Sequence, residues 1–210
     1  MDLDYRLYLV TDSRLPGGYE RVPAVVAEAI AGGVSMVQVR DKELDDDTFA
    51  HLARAVEKVA RPHGVPVLVN DRVEIAVELG LGVHVGQQDM ALDEVRALVG
   101  EAVPVGLSVS NTAELEAIEA CQTRPDYVGL SPLCETPTKT DTAAALGYEG
   151  TRRLAARAHA MGLAAVAIGG INHDNIRQAR ATGVDGVCVV SAIMAAADPR
   201  AAARQLLKEC

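Results

Sequence analysis

The chain has 210 residues, 49% hydrophobic and 23% charged, with a formal net charge of −9. That length supplies one domain, residues 1–210, with a core of its own, and apolar residues along the whole chain exclude a disordered polymer. The acidic balance and an aromatic share of 3% exclude a basic, base-stacking nucleic-acid surface.

Short apolar runs alternate with amphipathic stretches. The first run, 7–11, is followed by Val22, Val25, Val26, Ala29 and Ile30 at the spacing of one helix face. The second, 36–39, precedes Phe49, Leu52, Ala53 and Val56 at the same spacing. Runs at 67–69 and 82–85 come next, then Leu92, Val95 and Val99. The run at 105–107 leads to Asn111 and Glu114, spaced as a capping box. After 127–130 comes an irregular segment, 131–146, in which Pro132 and Pro137 argue against a helix. Unstructured stretches of that length are often binding loops. Runs at 165–168 and 186–190 complete the series. Asp198-Pro199 then opens a last helix with Ala203, Leu206 and Leu207 on one face.

Strands alternating with helices predict a parallel sheet, and near-continuous apolar strands predict one covered on both faces. Eight such units fit a closed (β/α)8 TIM barrel of the α/β class. An open doubly wound sheet would carry a Gly-rich turn after its first strand, where this chain has Thr11-Asp12-Ser13.

In a TIM barrel the active face is the C-terminal end of the strands. The residues expected there are Asp12; Gln38, Arg40 and Lys42; Asn70, Asp71 and Arg72; His84, Gln87, Gln88 and Asp89. Further along come Ser108 and Ser110; Thr136, Thr138 and Lys139; Gly169-Gly170; and Ser191. The chain has four lysines, and two of them fall in these loops. Such a gathering of cations in an acidic protein asks for an anionic ligand. Gly169-Gly170, ahead of Asn172 and a helical pattern, reads either as a tight turn or as a phosphate site reached by backbone N–H groups. Asp71 and Asp89 read either as two helix N-caps or as carboxylates sharing one Mg²⁺ with phosphate oxygens. His84 reads as a packed or hydrogen-bonded barrel histidine, with acid–base work as the alternative, and Asp12 as a loop tie. The other histidines lack metal-ligand spacing, as do Cys121, Cys134, Cys188 and Cys210, which read as free thiols. No apolar run is long enough to span a bilayer, and Met1-Asp2-Leu3-Asp4 lacks a basic signal region, so the expected compartment is the cytoplasm.

At these residues the sequence resembles the thiamine-phosphate synthase family. The motifs are Tyr8-Leu9-Val10-Thr11-Asp12, Val37-Gln38-Val39-Arg40-Asp41-Lys42, Val69-Asn70-Asp71-Arg72 and Gly82-Val83-His84-Val85-Gly86-Gln87-Gln88-Asp89. They continue with Gly106-Leu107-Ser108, Thr136-Pro137-Thr138-Lys139, Ile168-Gly169-Gly170-Ile171 and Val190-Ser191-Ala192-Ile193. Their order along nearly the whole chain carries the resemblance. It implies a barrel enzyme, a transferase of thiamine biosynthesis, that condenses a hydroxymethylpyrimidine diphosphate with a thiazole phosphate, releasing diphosphate. By this resemblance Gln38, Val39, Arg40, Asp41, Lys42, Asn70, Ser108 and Lys139 hold the pyrimidine diphosphate, and Arg40, Ser108 and Lys139 are catalytic. Thr136, Thr138, Gly170, Val190 and Ser191 hold the thiazole phosphate, and Asp71 and Asp89 bind Mg²⁺. The implied partners are small molecules, with no nucleic acid and no membrane; a homo-oligomer is compatible with the sequence.

Two departures stand out. Cys134 and Glu135 replace an aromatic and a proline common in the family, and Ser110 replaces a His or Thr. A related thiazole tautomerase uses a histidine at the Ser110 position and needs no diphosphate site. A non-catalytic sensing barrel is the other alternative, and predicts eroded metal and diphosphate residues. A phosphate-binding barrel enzyme with another substrate is a third.

Overall fold

The computed structural model describes residues 3–134 and 144–210. Eight strands close into one parallel barrel in sequence order: β1 Leu7–Val10, β2 Met36–Val39, β3 Val67–Asn70, β4 Gly82–Val85, β5 Val105–Val109, β6 Tyr127–Leu130, β7 Ala164–Ile168 and β8 Gly186–Val189. The expected runs match them to within two residues. Around the barrel lie α1 Val22–Ala31, α2 Asp46–Ala60, α3 Val73–Leu79, α4 Leu92–Val99, α5 Thr112–Ala117, α6 Gly147–Ala160, α7 Ile176–Arg180, the short α8 Ser191–Met194, and α9 Pro199–Glu209. No described helix is long and apolar enough to cross a membrane.

Side chains alternate along each strand, so the barrel has two cores. Outward residues such as Leu7, Leu9, Val37, Val39, Val83 and Val85 pack against the helices. Inward residues form a separate cluster of Tyr8, Val10, Met36, Leu68, Tyr127, Val166 and Cys188. Both faces are therefore largely buried, which is why the strands read as mostly apolar runs.

Local signals set several boundaries. Asp198 accepts from Ala201 N–H, capping α9 ahead of Pro199. Asn111 caps α5 through Glu114 N–H, but the Glu114 carboxylate reaches back to Ser110 N–H and its hydroxyl, not to the Asn111 N–H of a regular capping box. The helical pattern expected after Asn172 is α7, which begins at Ile176. Asn172 and Asn175 occupy the interval with turn bonds, Asn172 N–H to Asn175 Oδ1 and Asn175 Nδ2 to Gly170 O. Of the irregular segment 131–146, residues 131–134 and 144–146 are non-helical, and the remainder lies outside the described residues.

At the N-terminal end of the barrel, Asp126 ties β5 to α4. Its Oδ2 accepts from Val105 N–H at 2.7 Å and from Arg96 Nη2 at 2.8 Å. Arg96 is 5% exposed and also donates to the carbonyls of Gly100 and Val103. Asp126→Ala strands this buried guanidinium. The expected cost is about 3 kcal/mol, a melting point roughly 6–12 °C lower, with little change in ligand affinity at the opposite rim. A thermal melt that moves by less than about 2 °C would contradict the assignment.

Candidate active site

A cleft opens at the C-terminal ends of the strands. Its lining includes Gln38, Arg40, Asn70, Ser108, Gly170, Val190 and Ser191 from the expected set, with Tyr8, Thr11, His84, Tyr127 and Gly129 beneath them. Asp71, Asp89, Asp41 and Lys42 stand outside this lining. Lys139, Thr136 and Thr138 lie outside the described residues.

Arg40 follows β2, and its position is set from the barrel. Its N–H donates to Thr11 Oγ1 at 3.0 Å, and Thr11 N–H donates to Gln38 O at 2.9 Å. Arg40 lines the cleft and has no close ion-pair partner among the described residues. Other cations of the rim are committed elsewhere. Arg14 pairs with Asp12 at 2.9 Å. Burial pushes the Asp12 carboxyl up, but hydrogen bonds from the Arg14 side chain and backbone outweigh it and hold the group low. Asp12 is thus a loop tie. Arg72 donates to Leu44 O and Asp46, and its guanidinium sits 4.3 Å from the Phe49 ring centroid, so it braces the β2–α2 loop.

The Val39 side chain is fully buried against the helices, leaving only its backbone toward the rim. The Asp41 carboxylate accepts from Glu43 N–H and Leu44 N–H, closing its own turn. Lys42 is half exposed, with Nζ 3.8 Å from Asp71 Oδ2.

Asp71 and Asp89 do not cap helices: the N-cap positions of α3 and α4 are Arg72 and Ala91. Asp71 holds a left-handed backbone, φ 62°. Its carboxyl is pushed up to about 6, first by burial and then by the neighbouring Asp89 carboxylate, against the pull of Lys42 and Arg40. Asp89 Oδ2 accepts from Gly86 N–H at 2.7 Å. Two adjacent carboxylates at the edge of an anion-seeking cleft fit a Mg²⁺ that takes its other ligands from phosphate and water. Among the described residues no three His, Cys, Asp or Glu side chains gather as a self-sufficient metal cage.

The raised carboxyl gives a stability prediction. The folded state holds the Asp71 proton more tightly than the unfolded chain, whose carboxyl titrates near 3.9. Stability therefore falls as pH rises from about 4 to about 6, and the cost is fully present above that window. Asn carries no charge and tolerates φ above zero. Without metal, Asp71→Asn is expected to be more stable than wild type by about 1–2 kcal/mol at pH 8, with the gap closing near pH 4. Melts in EDTA at both pH values check this; a less stable variant at pH 8 would refute it.

Near β7, Gly169 and Gly170 both have positive φ, 111° and 67°. A Cβ on Gly169 would lie 2.8 Å from Pro132 Cβ. Leu133 N–H donates to Ile168 O and Cys134 N–H to Gly169 O, while Leu146 N–H and Gly147 N–H return to Pro132 O and Leu133 O. Both described ends of the 131–146 segment thus join each other at the rim, and the first of them joins the glycine turn.

At the floor of the cleft the sequence reading named Gln38, His84 and Ser108, with His84 hydrogen-bonded as expected, but missed the roles of Tyr8 and Tyr127. Tyr8 Oη and Tyr127 Oη lie 2.9 Å apart, and Gln38 Nε2 donates to Tyr8 Oη at 2.7 Å. His84 Nδ1 lies 2.8 Å from Tyr127 Oη, and His84 Nε2 lies 2.8 Å from Ser108 Oγ. His84 is therefore hydrogen-bonded through both ring nitrogens. The available signal was a pair of tyrosines inside apolar strands, with Gly106 and Gly129 as strand glycines making room for rings.

A family model described as thiamine monophosphate synthase matches residues 7–193. The chain belongs to that family. The thiamine-phosphate synthase of Vibrio campbellii is 44% identical over 204 residues, covering 97% of each chain. That of Clostridium novyi is 39% identical over 207 residues, covering 98% of each. The thiamine biosynthesis multifunctional protein of Corynebacterium efficiens is 46% identical over 209 residues; the match covers 97% of this chain but 28% of that much longer protein. Among solved structures, the thiamine phosphate pyrophosphorylase of Pyrococcus furiosus superposes with a TM-score of 0.85 at 31% identity, covering 98% and 95% of the two chains. The barrel is thus the family's barrel.

Proposed function

We propose that this protein is a transferase that condenses 4-amino-2-methyl-5-hydroxymethylpyrimidine diphosphate with 4-methyl-5-(2-phosphoethyl)thiazole, or its carboxylated form, to give thiamine phosphate and diphosphate. The observation that carries the reading is Arg40, a cation pinned at the rim of an acidic protein, lining the cleft without an ion-pair partner among the described residues. Family membership supplies the substrates.

The reaction needs one bond broken and one formed. The bond from the pyrimidine methylene carbon to the diphosphate oxygen breaks, and its electron pair leaves with the diphosphate. The thiazole nitrogen lone pair then forms the C–N bond. Neither step needs a strong base; departure needs preplaced positive charge and donors around the leaving group. Arg40, Lys42 and Lys139 supply charge, and Asn70 and Ser108 supply hydrogen bonds. Gly170, Val190, Ser191, Thr136 and Thr138 would orient the thiazole phosphate. Asp71 and Asp89 would hold Mg²⁺, which when bound adds charge neutralisation at the diphosphate. Four free cysteines suit a reducing cytoplasm.

A tautomerase-like reading is disfavoured, because Ser110 is bonded to Glu114 and offers no imidazole. Calorimetric titration with each precursor separately, with and without Mg²⁺, tests the assignment. We expect one site for each, with Mg²⁺ strengthening only the diphosphate. Binding of the thiazole phosphate without any affinity for the pyrimidine diphosphate would overturn it.

A further inference from the structure

The inside of the barrel contains five polar groups in one unbroken series: Gln38 on β2, Tyr8 on β1, Tyr127 on β6, His84 on β4 and Ser108 on β5, linked at 2.7, 2.9, 2.8 and 2.8 Å. Gln38, Tyr8 and Tyr127 are at most 5% exposed, and Ser108 reaches the cleft. Isolated buried polar groups of this kind are costly, so a satisfied chain of them has to be consistent in every donor and acceptor.

That consistency fixes a direction. An amide NH₂ only donates, so Tyr8 Oη accepts from Gln38. Burial pushes both phenols far above their ordinary range, so each keeps a proton to pass on. The Tyr8 proton then goes to Tyr127 Oη, and the Tyr127 proton to His84 Nδ1. With Nδ1 accepting, a neutral His84 carries its proton on Nε2 and donates it to Ser108 Oγ. The Ser108 hydroxyl proton is left to point away from the histidine.

We propose that this series makes Tyr8, Tyr127 and His84 positioning residues, which hold Ser108 as a hydrogen-bond donor toward the cleft and not as an acceptor or nucleophile. The inference rests on the reaction proposed above, in which the leaving diphosphate takes that bond. Ser108 is the group that touches substrate; the other three act through it. The reverse setting, with Ser108 donating to His84 Nε2, would turn only lone pairs toward an incoming anion.

Room for the series is built into the sequence. A Cβ on Gly106 would lie 2.3 Å from Tyr127 Cζ and 2.4 Å from His84 Nδ1, and one on Gly129 would lie 3.1 Å from His84 Cε1. Both glycines lie beside the Tyr127–His84 contact, and Gly106 leaves no space for any other residue. Tyr8 and Tyr127 also meet edge to face, with centroids 5.9 Å apart at 75°, which locks the phenols in place.

The test has two independent readouts. The first is the ¹H–¹⁵N correlation pattern of His84 in substrate-free protein labelled with ¹⁵N-histidine, assigned with His84→Gln. We expect the proton on Nε2 in wild type, and a mixture of both tautomers in Tyr127→Phe. A proton on Nδ1 in wild type would overturn the proposal, whatever the reaction turns out to be. The second is a double-mutant cycle on turnover. Tyr127→Phe should lower kcat about tenfold, the value of one neutral hydrogen bond, with KM for the pyrimidine diphosphate within a few-fold. In a Ser108→Ala background the same change should have no further effect. Independent, multiplying losses would show a merely structural role and refute the positioning. If the reaction itself is misassigned, the tautomer still decides on the series alone.

Discussion

Arg40→Gln is expected to slow the chemical step by about 10²–10³-fold, the loss typical of one preorganised electrostatic contact. Thr11 holds the backbone that carries Arg40, and although Arg40 acts at a distance on the Asp71 carboxyl, it forms no close ion pair among the described residues. Its charge is thus kept for a ligand. As the C–O bond breaks, negative charge builds on the diphosphate, and a guanidinium already at the rim gains most at that moment. Ground-state affinity should fall less than the rate. The fold should be unaffected, because the replaced side chain makes no ion pair. Single-turnover kinetics with enzyme in excess, together with a thermal melt, measure both parts. A chemical rate within about three-fold of wild type would remove Arg40 from the catalytic set.

Lys139→Gln is expected to have an effect of similar size. Lys139 lies outside the described residues, but its neighbours in sequence mark it as a ligand-contacting lysine. It is one of four lysines, flanked by Thr136, Pro137 and Thr138. The segment that carries it leaves the rim at Cys134, whose N–H donates to Gly169 O, and is rejoined at Leu146, whose N–H donates to Pro132 O. Gln keeps hydrogen bonding and removes the charge. If the lysine meets the departing diphosphate, the single-turnover rate should fall about 10²–10³-fold while binding changes much less. Lys139→Arg should restore only part of the rate, because a planar fork does not replace a point charge. An unchanged chemical rate would leave Lys139 an ordinary loop lysine.

The barrel was legible because both faces of each strand are buried, so Leu7–Val10 or Gly82–Val85 read as apolar runs with no competing periodicity. The rim was legible as a list but not as a set of roles. Arg40, Arg72 and Lys42 look alike in sequence; only geometry separates the cation facing the cleft from the one bracing Leu44 and Asp46. Asp71 and Asp89 were readable equally as caps, and the helix starts at Val73 and Leu92 remove that reading. The start of α7 was not set by the sequence, because Asn172 and Asn175 close a turn of their own before the helix begins. The floor of the cleft was least legible. Its partners are at least 24 residues apart in sequence, from His84 against Ser108 to Tyr8 against Tyr127, and no spacing rule joins them.

The most direct measurement is an assay of the purified protein with both precursors and Mg²⁺, following thiamine phosphate and diphosphate together. The two products are expected in equal amounts, dependent on both precursors, and reduced about 10²-fold or more in Arg40→Gln. Diphosphate released without thiamine phosphate, or thiamine phosphate formed at the wild-type rate by Arg40→Gln, would contradict this expectation.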